Sequence, residues 1–138
     1  MHYHGHNSGA ERAISANALR EQLVDSRQNA ILIVPQLAFM AADSSCGQIA
    51  LPGVFKRMLG GAVSIAARFG QKILGDSRFP ERPRLGRVCV SHHSGGYRAA
   101  PCSLRDGAVD VPETYLFDAL YAESEVFLEW CWHGAEIR

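Results

Sequence analysis

The sequence predicts an α/β fold of three layers, with helices on both faces of a short parallel sheet of about four strands. Short apolar segments alternate along the chain with longer segments of helical spacing. This alternation is typical of βαβ units with right-handed crossovers. A length of 138 residues suits one domain, spanning 1–138, with a single hydrophobic core.

Four segments are predicted to be strands because they are apolar and bounded by turn-forming residues. Ala30–Val34 is continuously apolar and ends at Pro35, which suits a strand covered on both faces. The other three are Met1–His4, Arg87–His92 and Thr114–Phe117.

Helix formers and apolar spacing predict four helices. The second is the clearest, although two glycines lie in its middle, and Pro101 is expected to cut or kink the third. The predicted spans are Ala10–Arg27, Gly53–Phe69, Gly95–Leu104 and Glu123–Trp132.

Charge and composition exclude several classes of function. Fourteen basic residues balance fourteen acidic ones, so the chain lacks the excess positive charge that binding to nucleic acid or to an anionic membrane requires. No apolar run is long enough to span a bilayer, and we expect no signal peptide, because no basic segment followed by an apolar one opens the sequence. The four cysteines lack metal-site spacing, which favours reduced thiols in a cytoplasmic protein without metal or cofactor. The scarcity of Lys beside many Arg is a hint of a bacterial source.

The segment from Val88 to Tyr97 is the most informative part of the chain. It consists of an apolar strand followed by Ser94-Gly95-Gly96 and a predicted helix. A sharp strand-to-helix turn can hold a serine on an exposed corner, and the nucleophile elbow G-x-S-x-G has this form. Gly96 fills the second small position of that motif, whereas His92 occupies the first.

Residues that carry chemistry follow the other predicted strands as well. His4-Gly5-His6 follows the first strand, Gln36 the second, His93 precedes Ser94 and Asp118 ends the last strand. In parallel sheets the ligand site lies beyond the carboxyl ends of the strands. We therefore expect His4, Gly5, Gln36 and His93 to line a site around Ser94.

Together these stretches resemble the α/β-hydrolase superfamily. His4-Gly5-His6-Asn7 is similar to the oxyanion-hole loop after the third strand of that fold, and His93-Ser94-Gly95-Gly96-Tyr97 to the elbow after the fifth. Leu116-Phe117-Asp118-Ala119-Leu120-Tyr121 is similar to the end of the sixth strand. The resemblance implies a shortened member that keeps the third to sixth strands. It also implies the sheet order Ala30–Val34, Met1–His4, Arg87–His92, Thr114–Phe117.

The resemblance implies a role for each matching residue. Ser94 would be the nucleophile and Asp118 the triad acid, while the backbone N–H groups of His6 and Gly95 would form the oxyanion hole. The family places the triad histidine after the acid. Here only His133 follows Asp118, and it lies in or at the end of the last predicted helix. The general base therefore has no counterpart in the sequence.

Two classes of function remain open. The first is a serine hydrolase that acts on an ester or similar acyl bond of a small molecule. The second is a non-catalytic remnant that serves as an oligomeric binding or interaction protein. A histidine supplied by a second chain would be a third solution. Exposed sheet edges predict a homo-oligomer, most simply a two-fold dimer.

Two of these assignments have simpler alternatives. Ser94 is also a suitable N-cap for a helix that begins at Gly95. His2, His4 and His6 alternate along a strand and could face one metal ion, but no carboxylate or cysteine is placed to complete that site. We expect burial of His4 rather than metal binding.

Overall fold

The computed structural model of the protein describes residues 1–105 and 108–135, and within that part it forms a mixed α/β structure. Two short 3-10 helices, Gly47–Ala50 and Ser94–Arg98, accompany the main elements. In chain order the main elements are β1 His2–Tyr3, α1 Ala10–Ala16, α2 Leu19–Asp25, α3 Val54–Leu74, β2 Cys89–His93, α4 Ala99–Arg105, β3 Glu113–Phe117 and α5 Ser124–Ala135.

The three strands form one parallel sheet in the order β1-β2-β3. In β1, His2 pairs with Ser91, and along β3 the pairing runs from Cys89 with Glu113 to His93 with Phe117. Three of the four predicted strands are therefore confirmed, with their parallel direction and their order relative to one another. The predicted position of Met1–His4 inside the sheet is wrong, because β1 is an edge strand. All three carboxyl ends lie at one edge of the sheet, where the candidate site is expected.

The fourth predicted strand, Ala30–Val34, does not form. The segment has no regular secondary structure, and Ile31 is 53% exposed. It does run beside β1, because the His2 backbone N–H donates to the Ile33 carbonyl oxygen at 2.9 Å. A strand of two residues offers too few ladder positions to order a neighbour, and Pro35 has no N–H to donate.

One face of the sheet carries the core. Tyr3, Val90 and His92 point to this face and are fully buried, as is Phe55 of α3, and Phe127 of α5 is buried beside them. The Tyr3 hydroxyl also bonds the buried Ser103 hydroxyl of α4. These contacts fix the sheet against the helices that follow the strands.

The opposite face is open along β3. Tyr115 and Phe117 alternate with the core residues and are 48% and 54% exposed. The predicted helix layer therefore does not cover this strand within the described residues, and the three-layer arrangement is not established.

The helices depart from prediction at their boundaries. The span Ala10–Arg27 is divided at Ala18, whose φ is 47°, because its apolar stripe is too weak to hold one continuous helix. Pro101 breaks nothing, since α4 begins at Ala99 and a proline in the first helical turn removes no helical hydrogen bond. Within the described residues, no helix has the length and apolarity needed to cross a bilayer.

Candidate functional site

Ser94 lies on a left-handed corner between β2 and the 3-10 helix that it begins. Its φ is 48°, in the region that non-glycine residues rarely occupy. The preceding residue, His93, is still extended. A plain N-cap has an extended backbone, so the N-cap alternative is wrong, and the predicted positive φ at Ser94 is confirmed.

The two glycines after Ser94 are required by close backbone packing. A Cβ atom on Gly96 would lie 2.9 Å from the Tyr3 carbonyl oxygen and 3.1 Å from the His92 Cβ. A Cβ atom on Gly95 would lie 2.6 Å from the His6 backbone nitrogen. The turn after β2 is thus pressed against the turn after β1, which leaves no room for side chains.

The segment His4-Gly5-His6 also lies against the serine itself. A Cβ atom on Gly5 would be 3.2 Å from the Ser94 Cβ and 3.3 Å from the His93 Nδ1. The backbone nitrogens of His6 and Gly95, the predicted oxyanion donors, therefore belong to two segments in direct contact beside Ser94. Sequence reasoning placed these segments together correctly.

The buried side chain of His4 stabilises the turn after β1 through hydrogen bonds. The ring is 3% exposed, and its Nε2 accepts the Leu37 backbone N–H at 3.1 Å. Since that N–H can only donate, the ring proton belongs on Nδ1, which lies 3.1 Å from the Gly5 carbonyl oxygen. The Gln36 side-chain amide lies 3.1 Å from the same Nε2. His4 and Gln36 thus support the turn rather than face a substrate.

Tyr121 lies near Asp118 and Ser94, since both residues act on the pKa of its hydroxyl. Proximity to Asp118 is the largest cause that raises the pKa of Tyr121, and burial adds to it, while the Ser94 hydroxyl opposes the rise. Asp118 itself has a φ of 46°, so a second left-handed corner ends β3 beside the first.

Tyr121 is a neighbour of the corner that sequence reasoning missed. It stands three residues after Asp118, in a region interpreted only as the end of a strand. Its ring contacts the Tyr97 ring edge-on, with centroids 5.8 Å apart, and Arg98 Nε donates to the Tyr97 hydroxyl at 3.0 Å. The sequence does contain an indication of this contact, because a tyrosine lies three residues after each corner: Tyr97 follows Ser94, and Tyr121 follows Asp118.

No histidine among the described residues joins Asp118 to Ser94. His92 is fully buried under the corner, where it stacks on Phe127 at a centroid distance of 5.5 Å, and neither of its ring nitrogens has a partner. Burial lowers its pKa to about 4. His133 pairs instead with Glu129 on α5, at 3.8 Å. His93 is exposed, directly before the serine.

The alternating histidines near the amino terminus do not share a site. The His2 Nδ1 lies 2.9 Å from the Ser91 Oγ, and the His6 Nε2 lies 2.9 Å from the Asn7 Nδ2. The third, His4, is bonded as described above. In the described part of the chain, no three metal-binding side chains are arranged to hold an ion.

Two cavities have different relations to Ser94. A small one of about 10 Å³ lies between Gly5, Gly95 and the loop that contains Ser44. That volume matches a single water molecule. A much larger groove of about 770 Å³ lies at the opposite end of the sheet, where Arg87 and Pro112 precede β2 and β3. Its distance from the corner excludes it from any chemistry at Ser94.

Comparison with known proteins gives no independent assignment. No protein-family model, no curated protein and no solved structure matches the chain.

Proposed function

We propose that this protein is a serine-hydrolase-like domain that attacks an ester or similar acyl bond through Ser94. The observation that carries the proposal is the left-handed backbone of Ser94, with a φ of 48°, at the carboxyl end of β2. An L-residue at such a corner costs about 1–2 kcal/mol. This cost is typical of functional sites, and glycine would avoid it.

The roles of the surrounding groups follow from their positions. The His6 and Gly95 backbone N–H groups are the proposed oxyanion donors, because their segments touch beside Ser94. Such donors are usually the largest contribution to acyl-transfer catalysis. Asp118 is the proposed acid, because it ends β3, the strand that pairs with β2. The one-water cavity leaves no acyl pocket behind Gly95, so a substrate would approach from the solvent side.

The wider assignments rest on the same observations. We propose a relative of the α/β-hydrolase fold, because the left-handed corner at Ser94 and the glycine contacts around it agree with the resemblance. The edge position of β1 does not agree with it, since the resemblance implies a strand on the outer side of β1. No cofactor is required by this chemistry. A cytoplasmic location is proposed because all four cysteines are free thiols.

A fluorophosphonate probe tests the proposed nucleophile. We expect slow, stoichiometric labelling of Ser94 and complete loss of labelling in Ser94→Ala. The control is Ser64→Ala on α3, since the Ser64 hydroxyl bonds only its own helix, at the Gly60 carbonyl oxygen 2.9 Å away. Absence of any adduct between pH 7 and 10, in a folded protein, would contradict the hydrolase proposal.

A non-catalytic interaction protein is the second candidate. It is favoured by large apolar side chains exposed along and just after β3, the edge strand. Those nearest the sheet are Tyr115, Phe117 and Leu120. We propose that a second copy of the chain covers this surface, as a two-fold dimer.

A further inference from the structure

We propose that Cys46 and Cys102 are a redox site, at which the two thiols join in a reversible disulfide. Their Sγ atoms lie 4.0 Å apart, although the two residues are separated by 56 positions in sequence. Among the described residues, no other two cysteine sulfurs are in contact. The inference goes beyond the proposed function, because it does not require Ser94 to be a nucleophile.

The local structure allows the two sulfurs to close the remaining distance. A disulfide bond is about 2 Å long, so the Sγ atoms must approach each other by about 2 Å. Cys46 has no regular secondary structure and lies directly before the 3-10 helix Gly47–Ala50. That short helix packs against α4, which carries Cys102. The bond can therefore form through a shift of the loop at Cys46, while α4 stays in place.

The surroundings of the two thiols decide which of them reacts first. Both cysteines are partly buried, and the Cys102 Sγ donates to the Arg98 carbonyl oxygen at 3.2 Å. Burial is the main cause that raises the pKa of Cys102 to about 11, and the neighbouring Cys46 adds to it. Cys102 therefore stays a thiol near neutral pH. Since the thiolate is the nucleophile, the first attack on an oxidant belongs to Cys46.

The reaction balances with a small-molecule disulfide, such as oxidised glutathione, as the oxidant. The Cys46 thiolate bonds to one sulfur of that disulfide, whose S–S bond breaks and releases the first thiolate. The Cys102 sulfur then loses its proton and bonds to the Cys46 Sγ, which releases the second thiolate. The two protein thiols lose two electrons, which the small disulfide gains, and their protons pass to the released thiolates. An excess of reduced glutathione reverses both steps.

The disulfide would connect two segments that lie beside the Ser94 corner. α4 follows the 3-10 helix that Ser94 begins. The loop before Cys46 contains Ser44, whose Oγ would lie 2.6 Å from a Cβ atom on Gly95. Oxidation therefore holds this loop against the corner by a covalent bond. It also restricts the unfolded chain, so the oxidised protein should be the more stable form.

The experiment equilibrates the full chain with reduced and oxidised glutathione, in a Cys131→Ser background. Cys131 is exposed on α5, so this substitution removes the thiol most able to link two chains. Free thiols are then alkylated, and mass spectrometry of a digest made without reductant identifies the linked peptides. We expect a link between Cys46 and Cys102. At one glutathione ratio it should be about tenfold or more favoured in the folded protein than in urea, because the fold raises the effective concentration of each thiol at the other.

Single serine variants supply matched controls. Cys102→Ser should stop at a mixed disulfide between Cys46 and glutathione, and Cys46→Ser should form no internal link. Cys89→Ser should keep the Cys46–Cys102 link, because the Cys89 Sγ contacts the Glu113 carboxylate instead, at 3.7 Å. Urea unfolding of the two forms measures the stabilisation, and the oxidised form should unfold at the higher urea concentration.

Four results would overturn this inference. One is complete alkylation of Cys46 and Cys102 under oxidising conditions, in protein that circular dichroism shows to be folded. The second is an equal ratio of disulfide to dithiol in the folded protein and in urea, and the third is a link that involves Cys89. The fourth is an oxidised form that unfolds at lower urea than the reduced form. None of them bears on the hydrolase proposal, which fluorophosphonate labelling of Ser94 tests separately.

Discussion

A methyl group on Gly95 would lie 2.6 Å from the backbone nitrogen of His6, and equally close to the Ser44 Oγ. Three segments of the chain therefore meet at one backbone position. The contact between the elbow and the turn after β1 is what gives the proposed oxyanion hole its shape. A substitution at Gly95 consequently tests the packing of the whole site.

Gly95→Ala should destabilise the protein and disrupt the site together. The new methyl group would push the His6 backbone away, and overpacking of this kind costs about 1–3 kcal/mol. Chemical denaturation measures the loss in the free energy of unfolding, and fluorophosphonate labelling should slow in the fraction that remains folded.

Gly60→Ala is the matched control for that substitution. No atom lies within 4 Å of a Cβ placed on Gly60, which is in the exposed middle of α3. The variant should be more stable than wild type by about 0.5–1 kcal/mol, because alanine loses less backbone entropy in a helix. Equal destabilisation by both variants would show that the close packing at Gly95 is not the cause.

Ser94→Gly should show the cost of the corner. Glycine removes the left-handed strain of about 1–2 kcal/mol, although its greater freedom in the unfolded chain offsets part of the gain. We expect a net stabilisation of up to about 1 kcal/mol in thermal or chemical unfolding, with labelling abolished. Ser94→Ala should lose labelling without this gain, and a Ser94→Gly variant less stable than Ser94→Ala would contradict the assignment of strain.

Acidification should destabilise the fold through two buried histidines. Burial is the main cause that lowers the pKa of His92 and of His2 to about 4, whereas the ordinary value is 6.5. For His2 the charges of His93, of the terminal ammonium and of His4 contribute. Between pH 6.5 and 4 the unfolded chain binds more protons than the folded one, so the free energy of unfolding falls as pH falls.

The expected loss is on the order of 3 kcal/mol per histidine across that interval. His92→Phe should reduce the slope of stability against pH by about one proton, because it leaves only His2 to titrate. The same variant should be more stable at pH 6, since it removes two buried nitrogens that have no partner and keeps the ring against Phe127. Identical slopes for the variant and wild type would contradict this account.

The proposed dimer predicts a mass of twice 15.1 kDa at micromolar concentration. β3 is a terminal strand of the sheet, and Tyr115 and Phe117 are exposed on its open face. A contact that buries this surface should exceed roughly 1,000 Å². Phe117→Glu should return a monomer in light scattering, while Val24→Glu, on the exposed face of α2, should not. A monomeric wild type would exclude the dimer.

The sequence predicted those parts of the site that depend on local pattern. Ser94-Gly95-Gly96 after an apolar strand predicted a tight corner, and Asp118 was predicted to end the last strand. Ser94 and Asp118 both have left-handed backbones in the structure. The position of Tyr121 was not predictable in the same way, because its ring contacts the Tyr97 ring only once the ends of β2 and β3 lie side by side. Ala30–Val34 was misjudged for a related reason, since a strand forms only where a neighbour offers enough ladder positions.

The register of β1 has a consequence for how the protein acquires its site. His2 and Ser91 are separated by 89 residues in sequence, yet their pairing brings the turn after β1 to the corner. Closing so long a loop costs conformational entropy before any stabilising contact forms. Proteins dominated by such distant pairings therefore fold slowly. The Ser94 corner should therefore become reactive only in the last, slow phase of refolding, well after the helices regain their circular dichroism.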